Sequence, residues 1–237
     1  MNKKNWHGAE VLNESWFPTI NYDKCNNCGM CLLACGNKVF LWSNKENRYI
    51  VGNPSNCVLG CTTCSKLCPT DAITFPEDPK KFITSLLMKY KIYPKVKDEL
   101  NVRLEKFKDH NVSINNTTVS KDPKDEFSNW HGIKRAEIHW YPDINIDKCT
   151  GCGLCVVTCS EKRNVFGYDK EKKKAFVLFP YNCMVGCNNC QVSCMWNAIS
   201  FPDFAEVKKL SMYVLENNRE LIIKEIFEKI KQQDLQC

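Results

Sequence analysis

The sequence predicts an α+β fold. It comprises two tandem copies of one small domain, each with short β ribbons and small helices, an inserted β-hairpin and C-terminal helices. Three observations predict it. A long internal duplication runs through the 237 residues. Sixteen of the 17 cysteines fall into four tight runs, two in each copy. Short β-prone stretches surround those runs, and helical periodicity follows them.

The duplication sets the domains. Trp6-His7-Gly8 recurs as Trp130-His131-Gly132, and the stretch 16–25 recurs as 140–149, both at an offset of 124. By Cys57 and Cys183 the offset is 126, so the second copy has two more residues between its cysteine runs. Ala72-Ile73-Thr74-Phe75-Pro76 matches Ala198-Ile199-Ser200-Phe201-Pro202. A repeat this long is a duplicated domain; solenoid units run to about 20–50 residues. The expected division is a first domain with helical extension over 1–109, a polar linker over 110–128 and a second such domain over 129–237. The linker lacks any apolar period between His110 and Pro123.

Within each copy the elements follow in order. Residues 19–22 and 73–75 are short and β-prone, and are expected to pair as a ribbon. Residues 39–42 and 48–51 flank the polar turn Ser43-Asn44-Lys45-Glu46-Asn47, a hairpin pattern that 165–168 and 175–179 repeat. Lys170, Lys172, Lys173 and Lys174 sit at or near the second tip and read as a solvated turn rather than a docking patch. Beyond the cysteines, Phe82, Ile83, Leu86, Leu87 and Tyr90 keep helical spacing. Pro94 fits the first turn of a further helix striped by Val96, Leu100, Leu104 and Phe107. The second copy answers with Val207, Leu210, Val214 and Leu215, then Ile222, Ile226 and Ile230. These stripes are expected to cover the small cysteine domains; the alternative is a face for a homodimer or complex.

The cysteine runs carry the chemistry. Cys25, Cys28, Cys31 and Cys35 are spaced x2, x2, x3, as are Cys149, Cys152, Cys155 and Cys159. Cys57, Cys61, Cys64 and Cys68 are spaced x3, x2, x3, as are Cys183, Cys187, Cys190 and Cys194. A cubane iron–sulfur cluster needs one thiolate on each of four irons, and three cysteines on a tight loop wrap three corners. Structural zinc instead pairs two C-x2-4-C hooks across a spacer, and four consecutive thiols would crowd one ion. Disulfides between such near neighbours would close strained loops. The first three cysteines of the second and fourth runs share a spacing with radical S-adenosylmethionine enzymes, but neither copy has room for their large barrel. Four [4Fe-4S] clusters are expected.

Composition agrees. Apolar content of 43% and aromatic content of 11% are those of a folded soluble protein. No apolar run approaches the ~20 residues of a membrane helix, and the first residues lack the apolar core of a signal peptide. Cysteine-rich and without an export signal, the chain is expected in a reducing, oxygen-poor cytoplasm. The formal charge of +6 counts cysteines as neutral. Each loaded site carries roughly −2, so four bring the protein to about −2. That balance speaks against nucleic acid as a partner.

Both halves resemble bacterial-type two-[4Fe-4S] ferredoxins, and the whole is similar to a tandem four-cluster polyferredoxin. The resemblance covers 20–75 and 144–201, not the Trp-His-Gly segments or the helices. It implies crossed ligation, in which the fourth cysteine of each run serves the other cluster. Cluster one then takes Cys25, Cys28, Cys31 and Cys68, and cluster two Cys35, Cys57, Cys61 and Cys64. Cluster three takes Cys149, Cys152, Cys155 and Cys194, and cluster four Cys159, Cys183, Cys187 and Cys190. Two departures stand out. Proline follows only Cys68 among the last cysteines, and the x3 spacing must open two loops by one residue.

The implied function is a low-potential one-electron carrier for anaerobic redox enzymes, with no catalysis of its own. The alternative is a fixed electron-wire subunit of a multisubunit oxidoreductase. Of the remaining candidates, His7 and His131 read as parts of a cap over the domain rather than metal ligands. Trp16, Trp140 and Tyr22 read as shields of a cluster, and Cys237 as a bystander.

Overall fold

The computed structural model describes residues 3–12, 14–115 and 118–234. Cys237 lies outside the described residues. In chain order the first half comprises β1 (Lys3–Trp6), β2 (Ala9–Leu12), β3 (Thr19–Ile20), α1 (Met30–Ala34), β4 (Phe40–Ser43), β5 (Arg48–Val51), α2 (Thr63–Lys66), β6 (Ile73–Thr74), α3 (Pro79–Lys89) and α4 (Ile92–Lys106). The second half repeats the order with β7 (Asn129–Trp130), β8 (Ile133–Lys134), β9 (Asp143–Ile144), α5 (Leu154–Thr158), β10 (Phe166–Asp169), β11 (Lys174–Val177), α6 (Asn189–Ser193), β12 (Ile199–Ser200), α7 (Phe204–Asn217) and α8 (Arg219–Asp234). Every sheet among the described residues is a two-stranded antiparallel pair.

Local chemistry explains these elements. His7 and Gly8 both take positive φ, 47° and 71°, and join β1 to β2 through a two-residue turn of the kind that matches strand twist. His131 and Gly132 do the same between β7 and β8, at 50° and 92°. The β3–β6 ribbon pairs Thr19 with Thr74 and Ile20 with Ile73. It stops two residues short of the expected 19–22. The Asn21 side chain accepts from the Asp23 N–H at 3.0 Å and its carbonyl from the Cys25 N–H at 3.1 Å, which turns the chain into the cysteine loop. Asp78 caps α3 by accepting from the Lys81 N–H at 2.8 Å, with Pro79 behind it, and Asp203 caps α7 from the Ala205 N–H at 2.9 Å.

The long helices pack on the cysteine helices of the opposite half, while their other faces touch their own half, as Phe82 does Trp16. α3 packs on α6 and α4 on α5, while α7 packs on α2 and α8 on α1. Each copy's helical extension therefore covers the other copy's cysteine helices, and one apolar core runs through both. Met30 of α1 is buried against Val214 and Ile222 of the second copy. The apolar stripes do cover the cysteine regions, but crosswise, which no helical period can announce.

Cations fasten this exchange. The five-residue helices α1 and α5 end in unpaired carbonyls. Arg103 of α4 donates to the Cys159 carbonyl at 2.9 Å and the Val156 carbonyl at 3.3 Å, at the end of α5. Lys229 of α8, its counterpart at an offset of 126, donates to the Leu32 and Leu33 carbonyls at 2.6 Å, at the end of α1. Lys80 of α3 reaches the Gln191 carbonyl of α6 and the Cys194 carbonyl just after it, and the Ser211 hydroxyl of α7 the Leu67 carbonyl beyond α2.

The polar stretch 110–128 lies along the second half. His110 is buried and its ring meets the Phe166 carbonyl at 2.8 Å. The Ser120 N–H donates to the Leu178 carbonyl at 3.0 Å and the Lys124 N–H to Asn182 Oδ1 at 2.9 Å. Among the described residues no helix is long and apolar enough to cross a membrane.

Arg103→Met tests the crosswise fastening. It leaves two buried carbonyls unpaired, and the expected loss is about 1–3 kcal/mol of stability, read as a lower urea midpoint under anaerobic conditions. An unchanged midpoint would count against the crosswise cap.

Candidate metal centres

The sequence folds each short cysteine loop by placing permissive residues between the thiols. Asn27 and Gly29 take φ of 54° and 80°, and their counterparts Gly151 and Gly153 take 71° and 76°. Asparagine and glycine are the residues that tolerate this left-handed region. In the second run of each half the extra residue is absorbed at Gly60 and Gly186, with φ of 74° and 82°. The two loops that had to open by one residue do so there.

All sixteen cysteines are free of disulfides, and they gather in fours. Cys25, Cys28, Cys31 and Cys68 line one cavity, together with Ile20, Tyr49 and Ile73. Cys149, Cys152, Cys155 and Cys194 line another, with Ile144, Trp196 and Ile199. Cys35, Cys57, Cys61 and Cys64 line a third, which Met184 of the second half helps to close. Cys159, Cys183 and Cys187 sit within Coulombic reach of one another and of Cys190, and Cys183 and Cys190 are buried. These are cages one, three, two and four. In each of the three cavities the fourth cysteine comes from the other run.

Burial disfavours the thiolate form in these cages. Burial, aided by neighbouring thiolates, pushes Cys28 up to about 11 and Cys187 up to about 12. Burial also raises Cys31, Cys64, Cys155, Cys183 and Cys190, with neighbouring thiolates adding to it. Backbone amides face several of the sulfurs. Ala72 N–H points at Cys68 Sγ from 3.3 Å and Ala198 N–H at Cys194 Sγ from 3.4 Å. The Met30 and Leu32 amides favour the thiolates of Cys28 and Cys31.

The donor set fits a polynuclear iron–sulfur core. Among the described residues no three His, Cys, Asp or Glu side chains stand close enough to hold a single metal ion. The thiols surround a wider space. The Tyr93 hydroxyl of α4, within Coulombic reach of Cys152 and Cys194, is buried and has no hydrogen-bond partner among the described residues. Arg135 is 2% exposed, yet no carboxylate stands at ion-pair distance from it among the described residues. A buried cation is costly unless an anion faces it, and the thiolates of cage four supply one.

The other expected candidates take structural places. Trp16 and Trp140 are fully buried, and their indole N–H groups donate to the Cys61 carbonyl at 2.9 Å and the Cys187 carbonyl at 3.1 Å. They hold the second-run loops as well as sheltering them. His7 pairs with Glu99 of α4 at 2.8 Å and reaches Thr158 Oγ1 of α5 at 3.3 Å. His131 pairs with Glu225 of α8, the same position at an offset of 126 from Glu99. Both Trp-His-Gly turns thus brace the crossing helices. Tyr22 is exposed and lies under Arg48, whose guanidinium carbon is 3.7 Å from the ring centre. Lys174 folds back on the Cys149 and Ile146 carbonyls.

Several residues near the cages escaped the sequence reading, among them Tyr49, Tyr93, Tyr168, Lys66, Arg135 and Arg163. Burial, with nearby thiolates adding, raises Tyr49, Tyr93 and Tyr168 to about 12. Burial lowers Lys66 to about 8 against the pull of thiolates on both halves, Cys187 and Cys61 first. Only Arg103 and Lys229 left a signal, as cations at matching repeat positions.

Comparison with known proteins follows the cysteines. The family model of the 4Fe-4S dicluster domain matches residues 24–72. The chain is 43% identical over 81 residues to an uncharacterised ferredoxin of Methanocaldococcus jannaschii, covering 34% of this chain and 52% of that protein. The match therefore spans about half the length of that relative. It is 39% identical over 61 residues to a ferredoxin of Methanothermococcus thermolithotrophicus, covering 25% of this chain and 97% of that one. Ketoisovalerate oxidoreductase subunit VorC of Methanothermobacter marburgensis is 37% identical over 57 residues, 22% of this chain and 71% of the subunit.

A glycine substitution separates the loop geometry from mere cysteine content. A Cβ at Gly151 would stand 1.8 Å from the Lys173 carbonyl oxygen, so Gly151→Ala is expected to spoil cage three and lower the iron content by about a quarter. Asn27→Gly, at the equivalent position, is expected to keep full iron. Equal iron in both variants would contradict this account of the loops.

Proposed function

The chain belongs to the 4Fe-4S ferredoxin family, and from that premise we propose that it carries four [4Fe-4S] clusters as a low-potential one-electron carrier. The observation that carries this reading is the gathering of thiols in fours in three cavities, the fourth taken in each from the other run. Cys25, Cys28, Cys31 and Cys68 would hold one cluster, and Cys35, Cys57, Cys61 and Cys64 the second. Cys149, Cys152, Cys155 and Cys194 would hold the third, and Cys159, Cys183, Cys187 and Cys190 the fourth. When bound, such clusters supply one-electron exchange between two oxidation levels.

The rest is the work of the chain. Four thiolates would close every corner of each core and leave no iron open to a substrate. Apolar side chains such as Ile20, Ile73, Ile144 and Ile199 exclude water from the cages. Amides of Ala72 and Ala198 stabilise charge on sulfur. The reading assigns no catalysis to the chain. Its partners are redox enzymes in an oxygen-poor cytoplasm, which donate and accept electrons. It divides into dicluster domains over 1–109 and 129–237, with 110–128 laid along the second.

Likeness to subunit VorC favours a second reading, an electron-wire subunit held in a larger oxidoreductase. Purification from the native cells separates the two. A diffusible carrier comes away alone, whereas a wire stays with an enzyme at fixed stoichiometry. On either reading the isolated chain should be reduced by one redox enzyme and reoxidised by another, and turn over no substrate alone.

Crossed ligation has its own test. Cys25→Ala and Cys68→Ala should each abolish the same paramagnetic signal, and Cys57→Ala a different one. If Cys68→Ala removed the Cys57→Ala signal instead, the assignment of Cys68 would be wrong.

A further inference from the structure

The four cages differ most in the positive charge around them. Among the described residues, no cation lines cage one, as none lines the cavities of cages two and three, and Lys229 acts on it through Cys31. Cage three has Lys80 and Lys174, which donate to the Cys194 and Cys149 carbonyls. Cage two has Lys229 at the Cys35 carbonyl, 3.2 Å away, and shares Lys66. Cage four is ringed. Arg103 donates to the Cys159 carbonyl at 2.9 Å, and Arg135 to the Cys183 carbonyl at 3.1 Å. Arg163 donates to the Asn182 carbonyl at 3.1 Å and faces both Cys159 and Cys183. Lys66 completes the ring beside Cys187.

Lys66 also marks where the halves meet. It projects from α2, hydrogen-bonds to Asn188 Oδ1 and lies 4.5 Å from the centre of the Phe204 ring, both in the second half. Its counterpart at an offset of 126 is Val192, so the junction carries one lysine, not a symmetric pair. The thiols of Cys61 and Cys187 act on each other across this boundary. A Cβ on Gly186 would lie 3.3 Å from Leu67 and Thr63. Cages two and four are therefore the inner pair, and one and three the outer.

Among the described residues no carboxylate stands at ion-pair distance from Arg135, Arg163 or Lys66, and Arg103 has only Glu161 at 3.8 Å. Their positive charge is left to act on the cage. A cation near a redox centre favours the state with one more electron. Burial opposes this by penalising added charge, and cage four is deeply buried. The cations are buried with it, however, where screening by water is weakest. Charge should win.

Resting on the four-cluster reading, we propose that cage four has the highest reduction potential of the four, so that the first electron entering the chain settles there. Arg163 and Lys66 set that order as positioning residues. The step is uptake of one electron from an external low-potential reductant; the cluster gains one negative charge, and no bond or proton moves.

The test is a redox titration of the fully iron-loaded chain, followed by electron paramagnetic resonance. Arg163→Met is expected to lower the highest potential alone, by about tenfold in the one-electron equilibrium constant, or about 59 mV. Lys66→Met should lower that potential and one other, because it serves both inner cages. Arg163→Lys should restore the first. The proposal is overturned if Arg163→Met moves a lower-lying potential, moves all four together or moves none. A wild-type chain with iron for fewer than four clusters would sink the four-cluster reading itself. Full iron with unmoved potentials would sink only the ranking.

Discussion

Sixteen thiols packed in fours, with little water to separate them, are the constraint on which this structure depends. Thiolates so placed repel one another and lose hydration, and both effects drive their acidity down, as the raised Cys31, Cys64 and Cys190 show. A compact polycation at the centre of a cage would offset both costs. The helices around the cages are accordingly short, four or five residues in α1, α2, α5 and α6. The loops, not regular structure, carry the thiols.

Such domains have little apolar core of their own, and the crosswise helices are the answer to that shortage. A duplicated chain can exchange its extensions because each half offers the same surface. The equivalence is kept residue by residue. Arg103 and Lys229 cap the cysteine helices of opposite halves. His7 with Glu99 and His131 with Glu225 brace the helices that carry them. Where the equivalence fails, as at Lys66 and Val192, the halves cease to be interchangeable.

Much of this was legible before the structure. The cysteine spacing named the chemistry, the turn residues between 43 and 47 placed the hairpin β4–β5, and the apolar stripes placed all four long helices. What stayed hidden was hidden for physical reasons. An amphipathic stripe shows that a helix covers something but not which half it covers. Trp-His-Gly became readable as a two-residue turn only once positive φ was seen at both His7 and Gly8. The stretch 110–128 lacked a period because its anchors, such as His110 on the Phe166 carbonyl, are single polar contacts. Arg135 and Arg163 carried no motif, since a cation's value to a cage lies in its distance.

Electron transfer as proposed requires every one of the four cages to be filled. Iron and acid-labile sulfide counted on anaerobically purified chain test that most directly. The account requires about sixteen of each per chain. A count near eight, from protein that is otherwise intact and folded, would contradict it.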